Sequence, residues 1–454
     1  MIASTTHIHI MVPLPPKHRS FITVEQGLKS SNVPAPEGFS LVTSHIYIKF
    51  IVFYENTRND PHFMNPVWFK SKLAEALNLH HPYTGRLIKK ENGRYEIGNF
   101  DKGALFEVCD SADDFQQWKK SNFSYNVVPY DDLIPIKEYV GRDSALFGTR
   151  LTFTKNGGCA LAMSAHHKIA DGICLTQMLD KFVRICRGEG LDEDEICIYT
   201  DKMRKPVKPL PNVDHSILYP RYPIGEAPAP TIQPAPSKKL IFEFDKTALN
   251  KLKKSVIESG NEPDVKLTQF EVLTALIHRA IIKARRDQPD QLADLLCIVS
   301  QRHFHPDENM INYFGNYIVP VPVPFTAKEA LDKGLFHVAK ELGKGIRSMT
   351  VPYMESLEYY INNCENVEEI VSPVSRLGRG GIGISDWSRF VNNYDIGHGQ
   401  VLCLRSFVDT SPIPLITVMP YKADTVDVVI QLDNKSLKRL VQDREFMAYV
   451  KSIN

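Results

Sequence analysis

The sequence predicts an α/β (α+β) protein of two domains, each with mixed sheets flanked by helices. Three observations carry this reading. The chain has 454 residues, which is long for a single hydrophobic core. Apolar patterns of period two and period 3.6 interleave in both halves. Between them, Lys205 to Pro236 is dense in proline, with Pro206, Pro209, Pro211, Pro220 and Pro223 among its residues. Proline lacks an N–H and fixes φ, so such a segment cannot be helix or central strand. It reads as an extended crossover on the surface. The division is a first domain at 1–204, a crossover at 205–237 and a second domain at 238–454.

In chain order, Thr6 to Val12 alternates like a strand, and His45 to Tyr54 is a longer one. Trp68 to Leu77 has helical period, and Arg94 to Ile97 returns to strand. Cys159 to Met163 is a short apolar run that leads into Ser164-Ala165-His166-His167-Lys168-Ile169-Ala170-Asp171-Gly172. The amphipathic run Ile173 to Val183 follows. A histidine pair therefore stands where a strand ends and a helix begins. In the second half Leu240 to Phe244 alternates, and Thr247 to Ser259 reads as a lysine-rich helix. Thr268 with Glu271 forms a capping box ahead of Val272, Leu273, Leu276, Ile277, Ala280 and Ile281, which share one face. Val426 to Leu432 is a late strand, and Lys438 to Val450 reads as a closing helix.

Composition narrows the function. A net charge of +1 gives no electrostatic grip on nucleic acid or an acidic membrane. No apolar run is long enough to span a bilayer, and the N-terminus lacks the pattern of a signal peptide. The eight cysteines show no C-x-x-C pair and fall largely in apolar runs, as expected of reduced cytoplasmic thiols.

The histidine pair is the strongest chemical signal. Adjacent strand residues face opposite sides, so only one of the two can enter a given cavity. An imidazole held at a sheet edge suits a general base. The same residue types also fit a packed histidine bonded to a backbone carbonyl. Asp171, beside Gly172, reads as an anchor of the turn. His303, His305, His80 and His81 lack the spacing of a zinc site, so no metal is expected. Gly378-Arg379-Gly380-Gly381-Ile382-Gly383 has the letters of a dinucleotide fingerprint, but no helix pattern follows it. The glycines therefore read as a flexible loop. Asp395-Ile396-Gly397-His398-Gly399 implies a tight turn under another segment.

Together these segments resemble the BAHD acyl-CoA-dependent acyltransferases. His167 to Gly172 matches the family's His-x-x-x-Asp motif. Asp395 to Gly399 matches its Asp-Phe-Gly-Trp-Gly motif, with Ile396 and His398 in place of the aromatic residues. Val12 to Pro16, His81 to Leu87, Thr268 to Ala284, Arg302 with Tyr313 to Asn316, and Asp386 to Arg389 match further family stretches in order. The resemblance implies two domains of chloramphenicol acetyltransferase fold with a solvent channel between them. It implies transfer of an acyl group from acyl-CoA, the cosubstrate, to a hydroxyl or amine of a small molecule, with no bound cofactor. A cytoplasmic monomer of secondary metabolism is expected. His167 is then the catalytic base and Asp171 its turn anchor. Asp395 is expected to pair with Arg302, and Gly172, Gly397 and Gly399 to shape the motifs. Ser385, Trp387 and Arg389 are expected near the substrate, with Ser385 and Trp387 close to the oxyanion, and Lys266 and Thr268 near the coenzyme. His166 to Gly172 also spells the condensation-domain motif of nonribosomal peptide synthesis, whose donor is a carrier-protein thioester. A non-catalytic binding protein on the same fold is the remaining alternative.

Overall fold

The computed structural model describes residues 16–195, 208–228, 236–302, 310–388, 390, 394–407, 415–419, 422 and 424–454. Two large mixed sheets organise it. The first runs in the order His18–Ile22, Ala104–Asp114, Phe147–Lys155, Gly158–His166, Tyr47–Glu55 and Gln400–Ser406. The second runs Ile318–Val323, Leu295–Ser300, Ile382–Asp386, Leu415–Val418, Thr425–Asp433, Ser237–Asp245 and Val450–Ile453. Each combines parallel and antiparallel neighbours. A small third sheet pairs Val33–Pro34, Tyr95–Gly98 and Arg86–Lys89.

Helices cover these sheets because their apolar faces have no other place to go. Pro66–Leu79 and Gly172–Cys186 pack together on the first sheet, with Phe69 and Phe182 fully buried between them. Lys246–Ser259, Gln269–Arg285 and Gly334–Ser348 cover the second sheet. The capping box at Thr268 is present: Glu271 N donates to Thr268 Oγ1, and Thr268 N donates to Glu271 Oε2.

Four differences from the sequence reading have physical causes. The closing segment is not one helix. It is helix Asn434–Leu440, a short turn Arg444–Met447 and an edge strand Val450–Ile453 that adds to the second sheet. The first helix stops at Leu440, and Asp443 caps the short turn by accepting from Phe446 N at 2.9 Å. Residues 208–228 of the crossover are loop and turns around a 3-10 helix His215–Ile217, and they do not only lie on the surface. Tyr219 is fully buried with Val319, Met354 and Leu357. Burying a side chain of that size contributes roughly 1.5–3 kcal/mol. The glycines at 378–383 are ordered: a 3-10 helix Pro373–Arg379 ends at Gly380, with φ of 110°, and a strand starts at Ile382. A dinucleotide fingerprint has the opposite order, strand then helix. The alternating Thr6 to Val12 lies outside the described residues.

Strand Gln400–Ser406 is the fourth difference. It comes from the second half of the chain but pairs antiparallel with Tyr47–Glu55 in the first sheet. Its Arg405 is buried, 3.0 Å from the equally buried Asp427 of the second sheet. Lys422 adds a second cation at 3.0 Å from Asp427, and Arg405 Nη2 donates to the Asn122 carbonyl at 3.0 Å. A charge buried without its partner is costly. Asp427→Asn should therefore destabilise the protein by about 3–5 kcal/mol in a denaturant titration. A loss below about 0.5 kcal/mol, typical of a surface position, would show that this pair does not tie the sheets.

Candidate active site

The centre of the site is built by the strand Gly158–His166, buried along its length between Phe147–Lys155 and Tyr47–Glu55. At its end the His166 amide donates to the Leu146 carbonyl and the His167 amide to the Ile46 carbonyl, both at 2.8 Å. The chain then turns, with Ile169 N donating to His166 O at 3.1 Å. Asp171 stops the turn and starts the helix: its Oδ1 accepts from Cys174 N at 2.9 Å, an N-cap bond. At Gly172 a Cβ would lie 2.8 Å from the tip of the Phe390 ring, so a larger residue here would push that ring aside.

The second carboxylate oxygen of Asp171 crosses to the other half. It accepts from Arg302 Nη1 and, at 2.8 Å, from Tyr317 N. Both charged side chains are fully buried. Arg302 Nη2 donates to the carbonyls of Gly315 at 2.9 Å and Tyr313 at 3.3 Å. This corrects the expected pairing of Arg302 with Asp395. Asp395 is exposed; its Oδ1 accepts from Gly397 N at 2.8 Å, and its carbonyl accepts from Arg187 Nη1 at 2.8 Å. A buried guanidinium needs a buried anion, and Asp171 is the one within its reach. Gly397 and Gly399 both have φ of 83°. A Cβ on Gly399 would meet Phe63 at 2.3 Å, so this turn is tight and lies under another segment.

His167 is half-buried, with its Nδ1 fully inside the protein. Nε2 is then the nitrogen that can reach a ligand. Burial lowers its pKa below the usual value of 6.5; the backbone at His167 and Ala170 and the Asp171 carboxylate oppose that shift only in part. The ring is therefore neutral at pH 7, as a base must be. Asn316 Nδ2 donates to the His167 carbonyl at 3.4 Å and to Thr43 Oγ1 at 2.6 Å, while its own amide donates to Ser40 Oγ at 3.2 Å. His166 faces the other way, fully buried, with Nε2 3.2 Å from His45 Nδ1.

The structure brings His167, Asp171, Gly172 and Arg302 together. Trp387 joins them indirectly, because its ring stacks at 4.9 Å on the Phe390 that closes over Gly172. Its indole N–H donates to Ser385 Oγ at 3.0 Å. The Ser385 hydroxyl proton is thus the donor of this pair that can turn toward a ligand. Arg389, His303 and His305 lie outside the described residues. Lys266 is elsewhere, in an open groove of about 630 Å³ shared with Lys340, Lys344 and Arg347, and Thr268 follows it in the chain. Sequence reasoning missed His45, Tyr95 and Thr43, which are far from the motif and carry no local pattern. It named Asn316 in a matching stretch without a role. Among the described residues no three His, Cys, Asp or Glu side chains are placed to hold a metal ion. His80 is buried and neutral, its Nδ1 on the Ala76 carbonyl at 3.0 Å.

Comparison with known proteins identifies the family. A family profile described as the Transferase family matches residues 38–447. Shikimate O-hydroxycinnamoyltransferase of Nicotiana tabacum is 26% identical over 389 residues, covering 83% of this chain and 85% of that protein. Hydroxycinnamoyl-CoA:5-hydroxyanthranilate N-hydroxycinnamoyltransferase HHT1 of Avena sativa is 26% identical, over 72% of this chain and 75% of its own. Among solved structures, F. graminearum TRI101 complexed with coenzyme A and deoxynivalenol superposes with a TM-score of 0.80 at 16% identity, covering 93% of this chain and 99% of that one. Vinorine synthase gives 0.68 at 18% identity, over 96% and 98%.

The matched profile spans most of the chain, which therefore belongs to the Transferase family, the BAHD acyltransferases. It is an acyl-CoA-dependent acyltransferase that uses a hydroxyl or amine acceptor, with acyl-CoA as cosubstrate.

Asp171→Asn keeps an acceptor for the Cys174 amide but leaves Arg302 buried without its anion. A stability loss of about 3–5 kcal/mol is expected in a chemical denaturation curve. Unchanged stability would mean that Asp171 does not anchor the turn.

Proposed function

We propose that His167 is the general base of acyl transfer, and that Asp171 and Arg302 hold its turn rather than take part in proton movement. The observation that supports this most is the state of His167: a neutral, half-buried imidazole on a backbone bonded from both halves of the chain. In this reading Nε2 removes the proton from the acceptor hydroxyl or amine. The freed oxygen or nitrogen attacks the thioester carbonyl and forms a tetrahedral oxyanion. The oxyanion collapses, the C–S bond breaks, and coenzyme A leaves as thiolate, which takes the proton from the imidazolium. A positioned base of this kind contributes roughly 10²–10⁴-fold. Ser385 is the candidate donor toward the oxyanion, with Trp387 holding its hydroxyl.

The groove around Lys266 suits the phosphates of the coenzyme. Lys340, Lys344 and Arg347 add positive charge to it, although Lys340 also meets Glu262 at 2.6 Å and Arg347 meets Glu271 at 2.8 Å. Residues 1–204 and 238–454 are read as the two acyltransferase domains, with 205–237 as the crossover. No helix among the described residues is long and apolar enough to cross a membrane. A cytoplasmic monomer acting in secondary metabolism fits this picture. The names of the relatives support hydroxycinnamoyl-CoA as a first donor, beside acetyl-, malonyl- and benzoyl-CoA.

The test is thiol release from those donors with phenols, sugars, shikimate-like acids and polyamines as acceptors. His167→Ala should lower kcat about 10²–10⁴-fold. Full activity in that variant would exclude His167 as the base. The base works deprotonated, so kcat/KM should be flat near neutrality and fall as pH drops through a value below 6.5. An acid limb centred above 6.5 would contradict the burial of the ring.

A further inference from the structure

We propose that His45 and Tyr95 are positioning residues for acyl transfer: through His166 they orient the peptide that carries the base. The inference rests on the reading of His167 as that base.

One hydrogen bond behind the motif has a fixed direction. Lys168 N lies 3.2 Å from His166 Nδ1, and a backbone N–H can only donate. His166 Nδ1 is therefore a lone pair, and the proton of the neutral ring is on Nε2. That proton points at His45 Nδ1, 3.2 Å away, so Nδ1 of His45 is also an acceptor. The His45 proton is then on Nε2, where it donates to Tyr95 Oη at 2.9 Å. One arrangement of protons satisfies all three bonds, and it runs from the 167–168 peptide to the small sheet.

The surroundings hold this chain in place. Tyr139 stacks on His45 at 4.4 Å and meets His166 edge-on at 5.0 Å; Tyr47 closes the opposite side at 5.2 Å. Burial lowers the pKa of both imidazoles, helped by Lys168 and Lys89 at His45 and by His45, Lys168 and His167 at His166, so both rings are neutral at pH 7. A cation at His166 would put a proton on Nδ1 and oppose the Lys168 amide.

The consequence falls on His167. Its own amide is on the Ile46 carbonyl, its carbonyl is on Asn316, and the next amide is on His166. Every polar backbone group flanking its Cα is thereby held. Removing the His45 acceptor leaves a buried Nε2–H on His166 unsatisfied, which favours rotation of that ring and release of the Lys168 amide. The base then moves while the binding surfaces stay.

The test compares His45→Leu, His45→Asn and Tyr95→Phe in steady-state kinetics. His45→Leu should lower kcat about 10- to 100-fold, the scale of a 1 Å misplacement, with little change in the KM for acyl-CoA. His45→Asn, whose amide oxygen can accept from Nε2, should recover most of that loss. Tyr95→Phe should give a smaller fall in kcat alone. Long-range ¹H–¹⁵N spectra of the wild-type protein should show His45 and His166 as neutral Nε2–H tautomers. A wild-type kcat in His45→Leu, an Asn variant no better than the Leu variant, or an Nδ1–H tautomer at His166 would overturn the proposal. If His45→Leu fails to fold, the Asn and Phe variants and the wild-type spectrum still decide it. His167→Ala is measured alongside. Retained activity there would remove the base reading, whereas an inactive His167→Ala with a fully active His45→Leu would remove this proposal alone.

Discussion

Asp171 and Arg302 form the contact on which the site depends. Two buried charges from opposite halves must meet, because neither can be left without its partner in a water-free interior. Both partners make further bonds to the backbone. Asp171 takes the Cys174 and Tyr317 amides, and Arg302 gives to two carbonyls of the 313–315 stretch. One ion pair thus sets the start of a helix, the exit of a strand and the path of a loop. That loop carries Asn316 to the His167 carbonyl. The placement of His167 follows from a pair that does not touch it.

The same principle joins the two sheets further away. Strand Gln400–Ser406 crosses from the second half into the first sheet and brings Arg405 to Asp427. Tyr219 from the crossover is buried among residues near 319 and 354–357. The halves are therefore not independent blocks joined by a tether. They share a strand, an ion pair and an apolar anchor, and such shared contacts keep residues of both halves in register around His167.

Much of the fold was legible in the chain. The strands at 47–55, 237–245 and 425–433 and the helices at 66–79, 246–259 and 269–285 follow from period and capping. The histidine–aspartate turn was legible too, because a strand, a corner and a helix start are local signals. The closing segment was misread because an amphipathic pattern does not reveal a cap at Asp443 or an open sheet edge waiting for a strand. The partner of Arg302 was misread for a different reason. Charge pairing depends on burial, and burial is settled by the whole fold.

By itself the sequence determined the kind of elements, their order, and a histidine at a strand end four residues before an aspartate. Only the tertiary structure decided which histidine is half-exposed and which is enclosed. It also decided that Asp171 rather than Asp395 meets Arg302, and that His45 and Tyr95 stand behind the motif. Periodicity and capping act over a few residues, so a local reading recovers them. These polar contacts join residues separated by 50 to 149 positions in the chain, and only packing brings those into reach.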